Sequence, residues 1–160
     1  ERDKVSGRTH EIQRLVGRAM RTVVDLGRIG ERSITIDCDV SQADGGTRTA
    51  SITGGYVALC LAMKALQKKH SWNISPIIDQ VAAVSVGMKE GKVLVDLDYE
   101  EDSKCDVDMN FVMTAGEHFV EIQGTGEHKA FSRAEMDQMM NGAVGAIKRL
   151  HDIQKQALTV

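Results

Sequence analysis

From Thr9 to about Leu26 the apolar residues Ile12, Leu15, Val16, Ala19, Met20, Val23 and Val24 recur three and four positions apart, the repeat of one face of an α-helix. Glu11, Arg14, Arg18, Arg21 and Asp25 share its other face, and Gly27 and Gly30 are expected to stop it. The period then drops to two. Between Ser33 and Val40, Ile34, Ile36, Cys38 and Val40 alternate with Thr35, Asp37 and Asp39, which predicts a half-buried strand. A polar, glycine-bearing loop from Ser41 to Arg48 leads to a second helix, about Thr49 to Lys68, with Ile52, Tyr56, Leu59, Cys60, Met63 and Leu66 on its core side. Gly54-Gly55 inside that helix costs about 1 kcal/mol per glycine in propensity. Close approach of another backbone is the expected compensation.

Beyond Pro76, the only proline, the pattern turns to strands. Ile77 to Val86 and Val93 to Leu97 read as two of them, joined through Lys89-Glu90-Gly91-Lys92 as a hairpin. Val107, Met109, Phe111 and Met113 alternate with Asp106, Asp108, Asn110 and Val112, and a turn at Ala115 to His118 leads to another strand, Phe119 to Gln123. Ser132-Arg133-Ala134-Glu135 is a capping box. The long helix behind it lines up Met136, Met139, Met140, Ala143, Ile147, Leu150 and Ile153, a stripe that reads as core packing rather than a cofactor box. Helix, strand, helix, then a group of strands, then a helix make an α+β protein.

Length and composition fit this picture. The chain has 160 residues, 42 % hydrophobic and 27 % charged, enough for one ordinary domain with a real core. No apolar run long enough to span a bilayer and no leader with a cleavage site is expected in this sequence, and no membrane partner. Cys38, Cys60 and Cys105 lack CxxC spacing and are expected to be buried, reduced thiols in a cytoplasmic protein. The opening Glu1-Arg2-Asp3-Lys4 carries no Met, and further residues are expected before it in a parent protein. Charge is unevenly spread: residues Glu1 to Arg32 sum to +3, and Asp79 to Glu127 to −9. Two solvated faces would give this, as would one region that holds phosphates beside another that holds a metal.

Three groups of residues are able to carry chemistry. Gly45-Gly46-Thr47-Arg48 runs into a helix, where turned amides, the helix start, a hydroxyl and a guanidinium suit an anion. It is neither a P-loop nor a GxGxxG turn, and an ordinary turn is the competing reading. Asp102, Asp106 and Asp108 offer three carboxylates within seven residues, suited to Mg²⁺ or Mn²⁺, or else to plain solvation. Asp106 and Asp108 are expected to point the same way along a strand, with Asn110. Arg8, with Arg14, Arg18 and Arg21, could follow an RNA backbone, line a subunit interface or lie in solvent. The histidines His10, His70, His118, His128 and His151 have no metal spacing, and their polar neighbours place all five at the surface. Aromatics are only 4 % of the chain, so base stacking is not advertised.

Taken together, several strings resemble ribonuclease PH. They are Ser6-Gly7-Arg8-Thr9-His10-Glu11-Ile12-Gln13-Arg14-Leu15, Gln42-Ala43-Asp44-Gly45-Gly46-Thr47-Arg48-Thr49-Ala50, Glu101-Asp102-Ser103, Asp108-Met109-Asn110 and Gln123-Gly124-Thr125-Gly126-Glu127. The resemblance implies a fold like the second domain of ribosomal protein S5, with a mixed sheet and three main helices. It implies residues 1–70 as the later half of a first exoribonuclease domain and 71–160 as a second, packed as one unit. It assigns Arg8, Gly46, Thr47 and Arg48 to the attacking phosphate, and Asp102 and Asp108 to catalysis and a divalent metal (Mg²⁺ or Mn²⁺), with Asp106 a possible helper. The implied activity is phosphorolytic 3′–5′ trimming of transfer RNA precursors and other RNAs by a hexamer built from dimers. A ring subunit that binds RNA without cutting it, and a metal-dependent hydrolase, are the rival readings.

Overall fold

The structure, a computed structural model, describes residues 7–70 and 73–159, the side chain of Arg8 excepted. In chain order come α1 (Gly7–Thr22), the short α2 (Leu26–Ile29), α3 (Thr47–His70), β1 (Val81–Lys89), β2 (Lys92–Val95), the single-turn α4 (Tyr99–Asp102), β3 (Val107–Thr114), β4 (Phe119–Gly126) and α5 (Arg133–Leu158). The four strands form one sheet in the order β2-β1-β3-β4. Every pairing among them is antiparallel, where a mixed sheet was expected. The β1–β2 turn places Glu90 and Gly91 at φ of 50° and 75°, the two left-handed residues of a tight hairpin whose twist matches its strands.

The pleat sorts β1 and β3 onto two faces. Ala82, Val84, Val86 and Met88 join Val107, Met109, Phe111 and Met113 against Met139, Ala143, Ala146 and Ile147 of α5. On the other face Val81, Ala83 and Val112 meet Leu15, Val16 and Ala19 of α1 and Ile52, Tyr56, Leu59 and Met63 of α3. The protein is therefore a sheet between helices, α+β as the pattern implied, with α1, α3 and α5 as its main helices. The second face changes character along its length. Past Ala83 it presents Ser85, Asn110 and Asp108 instead of apolar side chains. The core ends there and a polar site begins.

Several local expectations are corrected. Helix α1 stops at Thr22, and Val24 forms an isolated bridge with Ile77; Gly27 lies inside α2 and Gly30, at φ 68°, caps it. Residues 33–40 form no ladder with any described strand, and Cys38 and Val40 are exposed, though Ile34 and Ile36 do pack on the first core. Alternation selects the buried side of a segment but supplies no hydrogen-bonding neighbour. Among the described residues no backbone approaches the helical glycines: Gly55 faces the side chains of Ile36 and Met20 at ordinary contact distance, and nothing described lies within 4 Å of a Cβ on Gly54. Of the three cysteines only Cys105 is buried.

Helix α5 turns a polar stretch inward. Ile153 is 57 % exposed while His151 and Gln154 are buried, so His151 is not at the surface. Gln80 Nε2 donates to His151 O and to Gln154 Oε1, both at 2.8 Å, and Gln154 Nε2 donates to Thr53 O and Val81 O. These bonds are what make buried amides tolerable. Burial holds the His151 imidazole below its ordinary pKa. By length and composition α3 is long and apolar enough to cross a membrane, contrary to the expectation from run length. Its Ala, Ile, Val, Leu, Cys and Met residues raise the average while few charges lower it; in this fold α3 packs on β1, α1 and α5.

Phe111 is fully buried and its ring tilts against Phe119 at 6.3 Å. Phe111→Ala is expected to remove about 3–5 kcal/mol of stability, the usual range for deleting a buried aromatic ring, read from urea unfolding midpoints.

Candidate anion and acidic site

The loop before α3 is built around two glycines with different duties. A Cβ on Gly45 would lie 2.0 Å from Leu97 O and 2.8 Å from the Asp98 carbonyl carbon. The chain leading into α4 is thus packed backbone to backbone against the loop, and only glycine permits it. Gly46 sits at φ 68°, and its carbonyl accepts Thr49 Oγ1 at 2.8 Å and Ala50 N at 2.9 Å. Thr47 and Arg48 begin α3, where amides of a first turn lack partners within the helix and favour an anion.

Asp44 joins the same two segments. Its Oδ1 accepts Gly45 N at 2.9 Å and Tyr99 N at 2.7 Å, 55 positions away. Ser85 of β1 braces the α4 approach from beneath, since its Oγ accepts Leu97 N and its carbonyl accepts Asp96 N. Helix α4 is closed at its start by a capping box between Asp98 and Glu101, and Asp102 ends it.

Asp108 lies on β3 opposite Gly87 and Thr125, one row beyond Ser85, Asn110 and Gln123. Burial, then the charges of Asp102 and Glu127, push its carboxyl up to about 6, against the opposing pull of Arg48 and the Met109 N–H. The Cys105 thiol is pushed up by burial and by Asp108, Asp102 and Glu101. Arg48 and Asp102 are thus each in electrostatic reach of Asp108. Asp106 does not join them: it precedes β3, its Oδ2 accepts Glu90 N at 3.1 Å, and it pairs with Lys129 at 3.6 Å. Its role is to tie the hairpin turn to the chain after β4. Among the described residues no set of three or more His, Cys, Asp or Glu side chains is arranged to hold a metal ion.

The arginines divide. Arg48 Nη1 pairs with Glu11 Oε1 at 3.3 Å, and Gln123 Nε2 donates to that same oxygen at 3.0 Å. Arg18 pairs with Glu121 of β4, while Arg14 and Arg21 are exposed. Arg8 is the second residue of α1, and its side chain lies outside the described residues. Sequence reasoning missed Glu11, Gln123 and Glu127 as members of the site. The register of β3 against β4 carries the signal for Gln123, because it sets that residue beside Asn110. Only tertiary packing reveals Glu11.

Gly45→Ala is expected to cost about 1–3 kcal/mol, as overpacking does, and to loosen Tyr99 from Asp44. Thermal unfolding checks the first effect, and amide exchange at Tyr99 the second. Asp108 gives a pH signature. A carboxyl with a raised pKa binds its proton more tightly when folded, so its contribution favours the fold below its ordinary value of 3.8 and is lost as pH rises through about 6. Asp108→Asn is therefore expected to melt above the native protein at pH 7–8 and close to it at pH 4.

Residues 1–65 match the 3′ exoribonuclease family, domain 1, and residues 79–146 match its domain 2. Ribonuclease PH of Corynebacterium glutamicum (strain R) is 57 % identical over 157 residues, covering 98 % of this chain and 64 % of that protein. Ribonuclease PH of Bacillus cereus (strain AH820) is 57 % identical over 156 residues, covering 97 % and 64 %. The chain thus spans somewhat less than two thirds of the length of these curated relatives. Among solved structures, rice Rrp46 is similar with a TM-score of 0.71 at 15 % identity, over 97 % of this chain and 67 % of that one. The Archaeoglobus fulgidus exosome with RNA bound to the active site gives 0.67 at 18 %, over 95 % and 63 %. Those two likenesses establish the shared fold. With both domain matches in order and the two close relatives alongside, this chain belongs to the 3′ exoribonuclease family.

Proposed function

We propose that this chain carries the phosphate-handling part of a phosphorolytic 3′–5′ exoribonuclease. Such an enzyme is a nucleotidyltransferase that trims transfer RNA precursors and other RNAs, with inorganic phosphate as co-substrate and nucleoside diphosphates as products. The observations that support the reading are that Arg48 and Asp102 both act electrostatically on the Asp108 carboxyl and that the loop before α3 packs on Leu97 through Gly45. The names of the 57 % identical relatives support it. In this reading residues 1–70 and 71–160 are parts of two exoribonuclease domains packed as one unit, working in the cytoplasm within a hexamer built from dimers.

In this mechanism the amides of Gly46 and Thr47, with the Arg48 and Arg8 guanidinium groups, hold inorganic phosphate in line with the last phosphodiester of the RNA. A phosphate oxygen bonds to that phosphorus, the bond to the 3′ oxygen of the preceding nucleotide breaks, and the terminal nucleotide departs as a diphosphate. The 3′ oxygen needs a proton. With no cation beside it, Asp108, raised to about 6, retains one in part of the population near neutral pH and is the group able to give it up. Positioning and charge neutralisation dominate phosphoryl transfer, so a site with no strong nucleophile of its own suffices.

Asp102 and Asp108 also suit a divalent metal. The like charge that raises Asp108 is what a cation would relieve, and Mg²⁺ commonly takes one or two carboxylates together with substrate phosphates rather than a full protein cage. Mg²⁺ or Mn²⁺ there would supply charge stabilisation at the phosphorus oxygens. For the RNA path, Arg14 and Arg21 are open to a backbone, whereas Arg18 is engaged by Glu121.

The test is product analysis on a short RNA, using this chain and a form extended to its relatives' length. Nucleoside diphosphates that appear only with phosphate are expected. Monophosphates without phosphate would mark a hydrolase, and RNA binding without product a non-cleaving ring subunit; either overturns the reading. Arg48→Ala is expected to raise the KM for phosphate about tenfold or more, as losing a charge-assisted contact does; an unchanged KM refutes its role.

A further inference from the structure

We infer that Glu11 is a positioning residue for Arg48, and that Gln123 holds Glu11 in place, so that the anion affinity of the α3 loop is set from β4. This rests on the phosphate reading above. One oxygen, Glu11 Oε1, receives Arg48 Nη1 from α3 and Gln123 Nε2 from β4, while Glu11 itself belongs to α1. Three elements distant in sequence thus converge on a single acceptor. Gln123 is fixed in turn by the sheet, where it pairs in register with Asn110, and Asn110 with Ser85.

A long, rotatable arginine needs such a clamp if its fork is to meet an anion in one geometry. Glu11 engages one terminal nitrogen and leaves the rest of the guanidinium available. Glutamine suits the outer position because it donates without a charge: a lysine there would neutralise Glu11, and an acid would repel it. Arg18 and Glu121 make a separate tie between α1 and β4 and hold the helix against the sheet independently of Glu11.

The carboxylate has two opposed effects on a bound anion. Its charge repels the anion, and its hydrogen bond orients the arginine. The pair is open to water, with side-chain exposures of 26 % for Arg48 and 46 % for Glu11, so solvent screens the repulsion and orientation prevails. A carboxylate that merely competed for the anion's place would give the opposite sign: its removal would tighten binding. The direction of the effect decides between the two.

The experiment titrates inorganic phosphate into the full chain by calorimetry, with Glu11→Ala, Glu11→Gln, Gln123→Ala and Glu121→Ala. Glu11→Ala is expected to weaken phosphate binding about tenfold, the scale of one hydrogen bond to a charged group. Glu11→Gln keeps an acceptor oxygen and is expected to restore most of the affinity. Gln123→Ala should fall between the native protein and Glu11→Ala, and Glu121→Ala should bind phosphate as the native protein does. Unchanged or tighter binding by Glu11→Ala overturns the inference, as does an equal loss in Glu121→Ala, which would mean only a loosened interface. If the alanine variant does not fold, the near-isosteric Glu11→Gln with Gln123→Ala decides: native affinity in both overturns the inference. Failure of the native chain to bind phosphate at all would instead remove the phosphate reading itself.

Discussion

The contact between Gly45 and the carbonyl of Leu97 governs the geometry of this protein's polar end. A side chain at position 45 would begin 2.0 Å from a backbone oxygen, and backbone, unlike the tip of a flexible side chain, has nowhere to go. Because the two segments touch directly, Asp44 can bridge from the loop before α3 to the Tyr99 amide of α4. Neither stretch holds this position alone. Ser85 supports Leu97 from the sheet below, so the loop, the approach to α4 and β1 are stacked into one rigid unit.

Electrostatics follow from where this unit sits on the sheet. One face of β1 and β3 is apolar throughout beneath α5, and the other begins as core under α1 and α3 and ends in Ser85, Asn110 and Asp108. A carboxyl at the edge of a core is partly desolvated, and Asp102 and Glu127 add like charge, so Asp108 titrates far above an ordinary aspartate. The opposing charge of Arg48 keeps the cluster from being uniformly repulsive. An anion loop and an acidic group beside each other fit the proposed reaction, in which one would hold the nucleophile and the other would manage charge and protons at the leaving oxygen.

Helix α1 joins the two ends of this arrangement. Its apolar stripe builds the first core, while its polar stripe is fastened to β4 through Arg18–Glu121 and Glu11–Gln123. Residues that look solvated on a helical wheel are therefore partly internal to the architecture. The arginine face, which suggested a path for nucleic acid, is divided between structural pairs and exposed side chains.

Much of this was legible in the chain. The periodicities of α1, α3 and β3, the Glu90-Gly91 hairpin and the Ser132–Glu135 capping box depend on near neighbours, and local sterics and hydrogen bonds decide them. The motif strings also carried the family. Tertiary structure alone decided that Ser33 to Val40 has no strand partner among the described residues, that His151 and Gln154 turn inward, with the Gln154 amide bonded to Gln80, Thr53 and Val81, and that Asp106 leaves the acidic group for Glu90 and Lys129. It alone placed Glu11 on Arg48. The physical reason is common to all four: burial and pairing between segments far apart depend on which surfaces meet, and no window of neighbouring residues contains that information.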